Sequence, residues 1–541
     1  MPARSDRRRW FGLVVISLGV SLIIVDSTIV NVAVPSIIDD LGITSSQAQW
    51  VQEVYTLVFA ALLLVCGRLA DRWGRRLLFA IGAIVFAVAS VLAATADSGA
   101  SLIAARAVQG IGGALMLPTS LSLLNATFRG KDRGIAFGIW GATIGGTAAL
   151  GPLLGGWLTT DFSWRWAFGI NIPLCLIVVV GLFLLVDESK ERSASRGADW
   201  FGAVLSALGF GSVVFGLIEG RTYGWVTATD TLLSIGGWTW PWTISPVAVA
   251  FVLGGTALTV FVLVERARNA AGTVAMLDLQ LFTITSFRNG NVAAAIVSLG
   301  EFGLLFALPL WFQNVRGYTA FQTGVVLLAL ATGSFLASGL GAAIGRKRSP
   351  IFIVRLGIVL EIVGIAGIAL LLRPDSSWVV TAPLLFVYGI GVGFATAQLT
   401  GVVLADVPVE RSGQGSGTQS TARQIGSAFG IAILGTVLFS VLGAQFDASL
   451  TDDGVPEAAR NQLVTTVKDT AGAVIPALAD DPRTAAIADD AKQAFTDATR
   501  VSAAVAAGFL LLGLGASLSL GGSRRPEETP SADASMSLVT D

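Results

Sequence analysis

Four ionisable side chains lie deep inside long apolar stretches of this 541-residue chain: Asp26, Arg106, Glu301 and Glu361. An ionised group at the centre of a bilayer costs roughly 2.5 to 3.5 kcal/mol on insertion scales, so such a residue marks a functional site by default. The chain contains no histidine, which leaves carboxylates to carry protons. In a cavity of low dielectric a carboxylate can bind and release a proton or, when ionised, attract a cationic substrate. Asp26 lies about 13 Å from one end of its apolar stretch at 1.5 Å per residue. Arg106 reaches similar depth on a stretch running the other way, so the two can pair, either as a proton-coupling element or as a purely structural ion pair. Arg106 shares a helix face with Gln109, Gly110 and Gly113.

Glu361 shares its face with Gly357, Gly364 and Gly367, so it should point into protein or cavity instead of lipid. Arg423 has two open readings, pairing with Glu361 or snorkelling to the surface. Glu53 and Glu219 fall near the ends of their stretches, where solvation is the expectation. Trp140, Phe302, Phe306, Trp311 and Tyr388 are either lining of a substrate pocket or lipid-facing and interfacial rings. Of these, Trp140, Phe306 and Tyr388 join Asp26, Glu301 and Glu361 as the candidate substrate-binding set.

The elements that must position these residues follow from composition. The chain is 53% hydrophobic and 13% charged, against about 25% charged in soluble domains. A span needs roughly 20 apolar residues. Hydropathy places fourteen of them, at about 11–34, 48–66, 77–95, 101–125, 135–159, 166–186, 200–219, 243–264, 288–312, 321–344, 350–372, 378–404, 417–442 and 501–520. The fold expected is an all-α polytopic membrane protein with both termini on one side. The first run is too long, and lacks a small-residue cleavage site, for a signal peptide.

Basic residues gather in alternate loops, at Arg7 to Arg9, Arg68 to Arg76, Arg129 to Arg133, Lys190 to Arg196, Arg266 and Arg268, Arg346 to Arg348, and Arg524 and Arg525. The short outer loops hold only Arg165, Arg221, Arg316 and Arg373. The positive-inside rule therefore puts both termini in the cytoplasm of a multi-pass protein of the cell membrane. Net charge of −1 argues against a nucleic-acid partner. Cys66 and Cys175 lie in apolar runs, so neither a disulfide framework nor a zinc site is expected. Gly130-Lys131 is followed by Asp132, which is no phosphate-binding loop. No metal, no cofactor and no nucleophile-base constellation of an enzyme is expected.

Comparison of the two halves shows a repeat. At an offset of 279, Gly110, Gly112, Gly134, Gly138 and Gly151 map onto Gly389, Gly391, Gly413, Gly417 and Gly430. At 274, Pro35, Gly67 and Arg72 map onto Pro309, Gly341 and Arg346, and Glu301 falls one residue from the equivalent of Asp26. Such repeats imply two bundles around a central pathway. The chain then divides into an N-terminal six-helix bundle at 1–196, two linking helices within 197–285, a C-terminal six-helix bundle at 286–520 and a disordered cytoplasmic tail at 521–541. Within the last bundle the stretch 443–500 is polar and Ala-rich, with Leu463, Val467, Ile487, Ala491 and Phe495 at helical spacing. It reads as an outer helical hairpin, either a lid or partner site or a tolerated insertion.

Two motifs carry further chemistry. In Gly67-Arg68-Leu69-Ala70-Asp71-Arg72-Trp73-Gly74-Arg75-Arg76 the glycines permit a tight turn, and Asp71 among arginines makes a polar cluster that charge topology alone does not require. In the fifth span Gly141, Gly145, Gly151, Gly155 and Gly156 bare one surface for close backbone approach, and Pro152 permits a bend. The first resembles the signature loop of the major facilitator superfamily, the second its antiporter motif. Asp26-Ser27-Thr28-Ile29-Val30-Asn31-Val32-Ala33-Val34-Pro35, with fourteen spans, is similar to that family's drug:proton antiporter branch. Arg106 to Gly110 looks like the family's Arg-x-x-Gln-Gly element.

The resemblance implies a gating role for Gly67, Asp71, Arg72, Gly74, Arg75 and Arg76, with Asp71 holding the inward end closed near Gly415 to Thr421. The second-half copy, Gly341 to Arg348, lacks the aspartate. It also implies an exporter role for Gly145, Gly151, Pro152, Gly155 and Gly156. The function expected is proton-coupled antiport that exports amphipathic, cationic small molecules by rocking of the two bundles, in a protein that works as a monomer. Asp26, Arg106, Glu301 and Glu361 are the expected coupling residues. The alternatives are a dedicated exporter of one metabolite, antibiotic, polyamine, amino acid or lipid, and a non-transporting receptor or enzyme on the same fold.

Overall fold

The computed structural model describes residues 2–128, 130–189, 199–229, 234–235, 238–273, 275–345, 348–407 and 412–519. The expected tail at 521–541 lies outside them. In chain order the helices are α1 (Pro2–Leu41), α2 (Ser45–Trp73), α3 (Arg75–Ala94), α4 (Gly99–Thr127), α5 (Gly130–Asp161), α6 (Trp166–Gly169), α7 (Asn171–Leu185) and α8 (Trp200–Tyr223). They continue as α9 (Pro246–Ala270), α10 (Thr285–Asn314), α11 (Ala320–Gly345), α12 (Pro350–Leu371), α13 (Trp378–Leu404), α14 (Ser412–Asp452), α15 (Glu457–Asp469), α16 (Ile475–Asp480) and α17 (Ala485–Leu518). The one pair of strands described, β1 (Ser234–Ile235) and β2 (Trp238–Thr239), forms a two-residue ribbon between α8 and α9.

Among the described residues twelve helices are long and apolar enough to cross a membrane, with α6 and α7 counted as one. The long helices α2 and α5 occupy the places of the second and fifth predicted spans. Local signals start many of these helices. Thr44 and Gln47 form a capping box ahead of α2, Ser98 and Ser101 another ahead of α4, each satisfying backbone N–H groups that a helix start leaves unpaired. Ser245-Pro246 and Ser349-Pro350 open α9 and α12, where proline loses nothing at the first turn.

Two boundaries differ from expectation. α14 runs to Asp452, and α17 begins at Ala485, so both ends of the 443–500 insertion are continuous with the two spans that flank it. The rest, α15 and α16, folds back on them: Val467, Ile475, Ala491 and Phe495 are buried, and Asn314 at the end of α10 donates to Ala471 O at 2.9 Å. The apolar face read from helical spacing is therefore occupied by the chain itself.

The glycine repeat has a structural meaning. Gly110 on α4 packs against Tyr55 O of α2, and Gly389 on α13 packs against Leu330 O of α11. Two residues on, Gly112 meets Gly82 O of α3, and Gly391 meets Gly357 O of α12. Gly151 of α5 rests on Thr28 of α1 as Gly430 of α14 rests on Leu299 of α10. A Cβ at any of these sites would run into a neighbouring helix, so the repeated glycines mark the same helix crossings in both halves.

The halves also meet each other at the end remote from the N-terminus. There Gln313 of α10 donates to Val32 O of α1 at 3.0 Å, and the N–H of Phe321 on α11 donates to Thr160 Oγ1 of α5 at 2.9 Å. Gly435 of α14 lies against Gln49 of α2.

Candidate functional site

Asp26 sits on α1 midway along a helix whose other residues on that face are apolar, and α4 brings Arg106 to it. Arg106 Nη1 lies 2.5 Å from Asp26 Oδ2, and both side chains are buried. Gln109, one turn along α4, donates to Asp26 Oδ1 at 2.7 Å and accepts from Arg106 at 2.7 Å. Asn171, opening α7, donates to the same Oδ1 at 2.8 Å, and Ser90 of α3 accepts from both amides. Arg106 Nε donates to Val51 O at 3.0 Å while its guanidinium lies 4.3 Å from the Tyr55 ring centroid. Five helices thus supply one closed network in which the buried charges are opposite, adjacent and hydrogen-bonded, the condition under which a buried ion pair is tolerated. Asn171 and Ser90 carry no sequence signal, being isolated polar residues in apolar helices.

Around Glu301 on α10 the arrangement is sparser. Glu301 Oε1 accepts from Thr396 of α13 at 3.3 Å, and Oε2 lies 4.0 Å from Arg423 Nη2 on α14. Of the two readings for Arg423, its nearest carboxylate is thus Glu301, not Glu361, and its Nε also reaches Ser298 Oγ at 3.4 Å. Tyr388 is buried and donates to Glu301 O at 3.4 Å. Glu361 on α12 is fully buried, and neither carboxylate oxygen has a hydrogen-bond partner. It faces inward as its glycine-lined face implied: Gly391 of α13 packs directly against it.

Glu53 departs from expectation. It is 0% exposed, both oxygens are buried without a well-formed hydrogen bond, and it faces Ala432 of α14. Gln49, one turn earlier, is equally buried and unpartnered. Distance from a span end implied solvation, but α14 packs over this turn of α2 through Ala432 and Gly435, inside its expected span. Glu219 is also engaged, accepting from Trp50 Nε1 at 3.0 Å.

In the 67–76 loop the side chains of Asp71 and Arg72 lie outside the described residues. The described part is tied to its own half. Gly74 turns the chain with φ +124°, and Glu188, just past α7, accepts from the backbone N–H groups of Arg76 at 3.0 Å and Leu77 at 3.1 Å. A carboxylate there complements the start of α3. Arg76 Nη1 donates to Val186 O at 3.0 Å, and the Arg75 N–H donates to Ser189 O at 3.1 Å. Gly67 faces Pro118 of α4.

The glycines of α5 divide between two neighbours. Gly151 and Gly155 receive α1 at Thr28 and Ile29, while Gly156 receives Ala320 and Phe321 of α11. Pro152 meets Gly324 of α11, so the motif is a seam inside one half and between halves. The Gly145 position lies outside the described residues. Trp140 is half-buried and donates to Ser120 Oγ at 3.3 Å. Phe306 is buried edge-on to Phe439, and Trp311 donates to Thr496 Oγ1 at 2.9 Å, which accounts for Trp311 as packing between α10 and α17.

Missed entirely by sequence reasoning is a cluster joining the linking helices. Asp199 caps α8 through Gly202 N at 2.6 Å and is ion-paired with Arg268 of α9. Burial opposes ionisation of Asp199, but its bonds to Arg268 and neighbouring groups outweigh this and hold its carboxyl below the usual range. Glu265 accepts from Leu277 N at 2.6 Å beside it.

Helices of this number, a glycine repeat and carboxylates buried within each half define a membrane transporter of two related bundles. The chain belongs to the Major Facilitator Superfamily, whose family model matches residues 16–431. It is 35% identical over 467 residues to a puromycin resistance protein of Streptomyces alboniger, covering 84% of this chain and 86% of that protein. It is 31% identical over 512 residues to the multidrug efflux pump LfrA of Mycolicibacterium smegmatis, covering 94% and 95%. A bacterial homologue of the human lysosomal transporter Spinster, solved inward-facing and unoccupied, shares the fold with a TM-score of 0.64 at 17% identity, over 96% of this chain and 99% of that one. The protein is a multi-pass membrane transporter, not an enzyme.

Proposed function

We propose that the chain is a proton-coupled exporter of amphipathic cations that works by alternating access. The observation that carries this reading is the unequal neutralisation of its buried carboxylates. Asp26 is matched by Arg106, whereas Glu301 and Glu361 share one partly exposed arginine, with Arg423 30% exposed. An ionised carboxylate without partners is costly at this depth, so the second pair calls for protons or a cationic ligand. Exchange of one for the other is antiport. Relatives named for puromycin resistance and multidrug efflux support the same reading.

In this reading fourteen helices cross the membrane with both termini cytoplasmic. Residues 1–196 and 286–520 act as the two bundles, and 197–285 supplies the linking helices. Contact at the end remote from the termini then corresponds to a state closed to the outside, and Asp71 latches the inner end in the opposite state. Trp140, Phe306 and Tyr388 complete the substrate site. The monomer suffices, with the 443–500 segment a packed extension of the fold.

Flux in proteoliposomes tests the function. A pH gradient should drive accumulation of ethidium and of chemically unrelated cations; a single accepted compound would indicate a dedicated exporter, and no flux a non-transporting protein. Topology is tested in a Cys66→Ser/Cys175→Ser background, where Thr229→Cys and Thr470→Cys should react with an impermeant thiol reagent in intact cells. Labelling of Ser193→Cys from outside would overturn the fourteen-span arrangement.

A further inference from the structure

α2 and α14 touch at the end remote from the termini, through Gln49 and Gly435. Between them, floored by the linking helices, lies a cavity of about 170 Å³. Four phenylalanines from four different segments line it: Phe210 of α8, Phe261 of α9, Phe282 beyond α9 and Phe429 of α14. Leu57 and Ala61 of α2 close one side, and among the described residues no charged one lines it. Phe210 and Phe429 meet edge to face at 6.2 Å, the geometry in which rings accept a further ring. One polar atom is left over, the buried Thr421 Oγ1, which has no hydrogen-bond partner.

Size decides what fits. An apolar cavity of about 150 Å³ stays dry and accepts benzene, so this one takes a single aromatic ring and not a whole acyl chain. Its position gives the ring a purpose. Thr421, Ala422 and Ile425 of α14 face the cavity, while Arg423 of the same turn faces Glu301. A ring lodged here lies across α14 from the under-neutralised Glu301.

We propose that this cavity is a subsite for an aromatic ring of the exported molecule, built by the two linking helices against the seam between the halves. The proposal rests on the exporter reading and adds a substrate class to it: planar aromatic amphiphiles with a hydrogen-bond donor for Thr421. Aliphatic cations of equal charge would gain nothing from it.

The test uses the full chain in liposomes, with Ala61→Cys in the Cys66→Ser/Cys175→Ser background and N-ethylmaleimide as the reporter. Ethidium should slow alkylation about tenfold near saturation, a difference equivalent to about 1.4 kcal/mol, with the same half-maximal concentration as its transport. Hexadecyltrimethylammonium should leave the rate within about twofold. Ala61→Phe, which fills the space, should raise the KM for ethidium about tenfold, the scale on which hydrophobic pockets discriminate, and leave that of the aliphatic cation unaltered. Ser206→Leu is the milder filling variant and gives the same selective shift if Ala61→Phe fails to insert. Unchanged alkylation in a protein that still transports ethidium would overturn the subsite alone. Equal protection by both cations would overturn its aromatic character. Protection by ethidium without any pH-driven flux would leave the subsite standing and overturn the exporter reading.

Discussion

The two halves place buried charge at corresponding positions and treat it in opposite ways. In the first half Asp26 is met by Arg106, Gln109 and Asn171. By the same offsets that align the glycines, Arg106 corresponds to Leu385, Gln109 to Tyr388 and, within one residue, Asp26 to Glu301. The second half has therefore kept the carboxylate and lost its arginine, and it has gained another carboxylate, Glu361, with no donor at all. A complete network holds its geometry, whereas a deficient one changes protonation or takes up a cation. The difference assigns rigidity and coupling to the first half and exchange to the second.

The largest effect should come from Asp26→Asn. It removes the counter-charge of a buried arginine, a loss of about 3 to 5 kcal/mol when one partner of such a pair is deleted. The double variant Asp26→Asn/Arg106→Gln should regain insertion and thermal stability without regaining pH-driven export of any substrate. Flux and substrate-induced proton release from detergent-solubilised protein separate the two outcomes. Normal release from the double variant would remove Asp26 from coupling and leave Glu301 and Glu361 to carry it.

Glu361→Gln should break the symmetry in the other direction. Because no donor or cation is lost, thermal stability should hold or rise, while export of cationic substrates falls by about tenfold or more, the equivalent of about 1.4 kcal/mol of lost attraction. A fall in stability comparable to that of Asp26→Asn would show that Glu361 is ionised and paired in the folded protein, and would end the proposed contrast.

A smaller effect is expected at the seam. Gly156→Val places methyl groups against Ala320 and Phe321 of the other half, at a cost of about 1 to 3 kcal/mol for overpacking. Gly151→Val meets only α1 within its own half. The first variant should open the remote end, seen as faster labelling of Gln313→Cys in the cysteine-free background, and the second should lower thermal stability without that change. Equal labelling in both would mean that the motif packs one half only.

Much of this was legible in the sequence, for reasons that differ by residue. Asp26 and Arg106 were paired by depth alone, since depths on two antiparallel helices, measured from the same membrane face, share a ruler of 1.5 Å per residue. The glycine crossings were legible because close helix approach leaves almost no choice of residue. Ser90 and Asn171 were not, because a lone polar residue in an apolar helix has no partner until tertiary structure supplies one. Glu53 was misread since depth along a helix says nothing about what covers it, and the cover came from the packing of α14 against α2 at Ala432. Glu188 and Asp199 act on helix starts whose position depends on neighbouring segments.

The linking helices lie outside the repeat and give the comparison its control. Asp199→Ala removes the α8 cap and the ion pair with Arg268, and cap loss costs about 1 kcal/mol. Because the folded carboxyl sits below its usual range, its stabilising contribution is present above the unfolded value of about 3.9. That contribution is lost only as the pH falls through the lower folded value. Between pH 5 and 8 Asp199 itself stays ionised. Asp199→Ala should therefore lower the melting temperature by a few degrees at neutral pH and lose that difference once the pH has fallen through the lowered folded value, while the pH profile of export keeps its shape. A profile displaced by this variant would mean that proton coupling reaches into the linking helices, and that exchange does not belong to the second half alone.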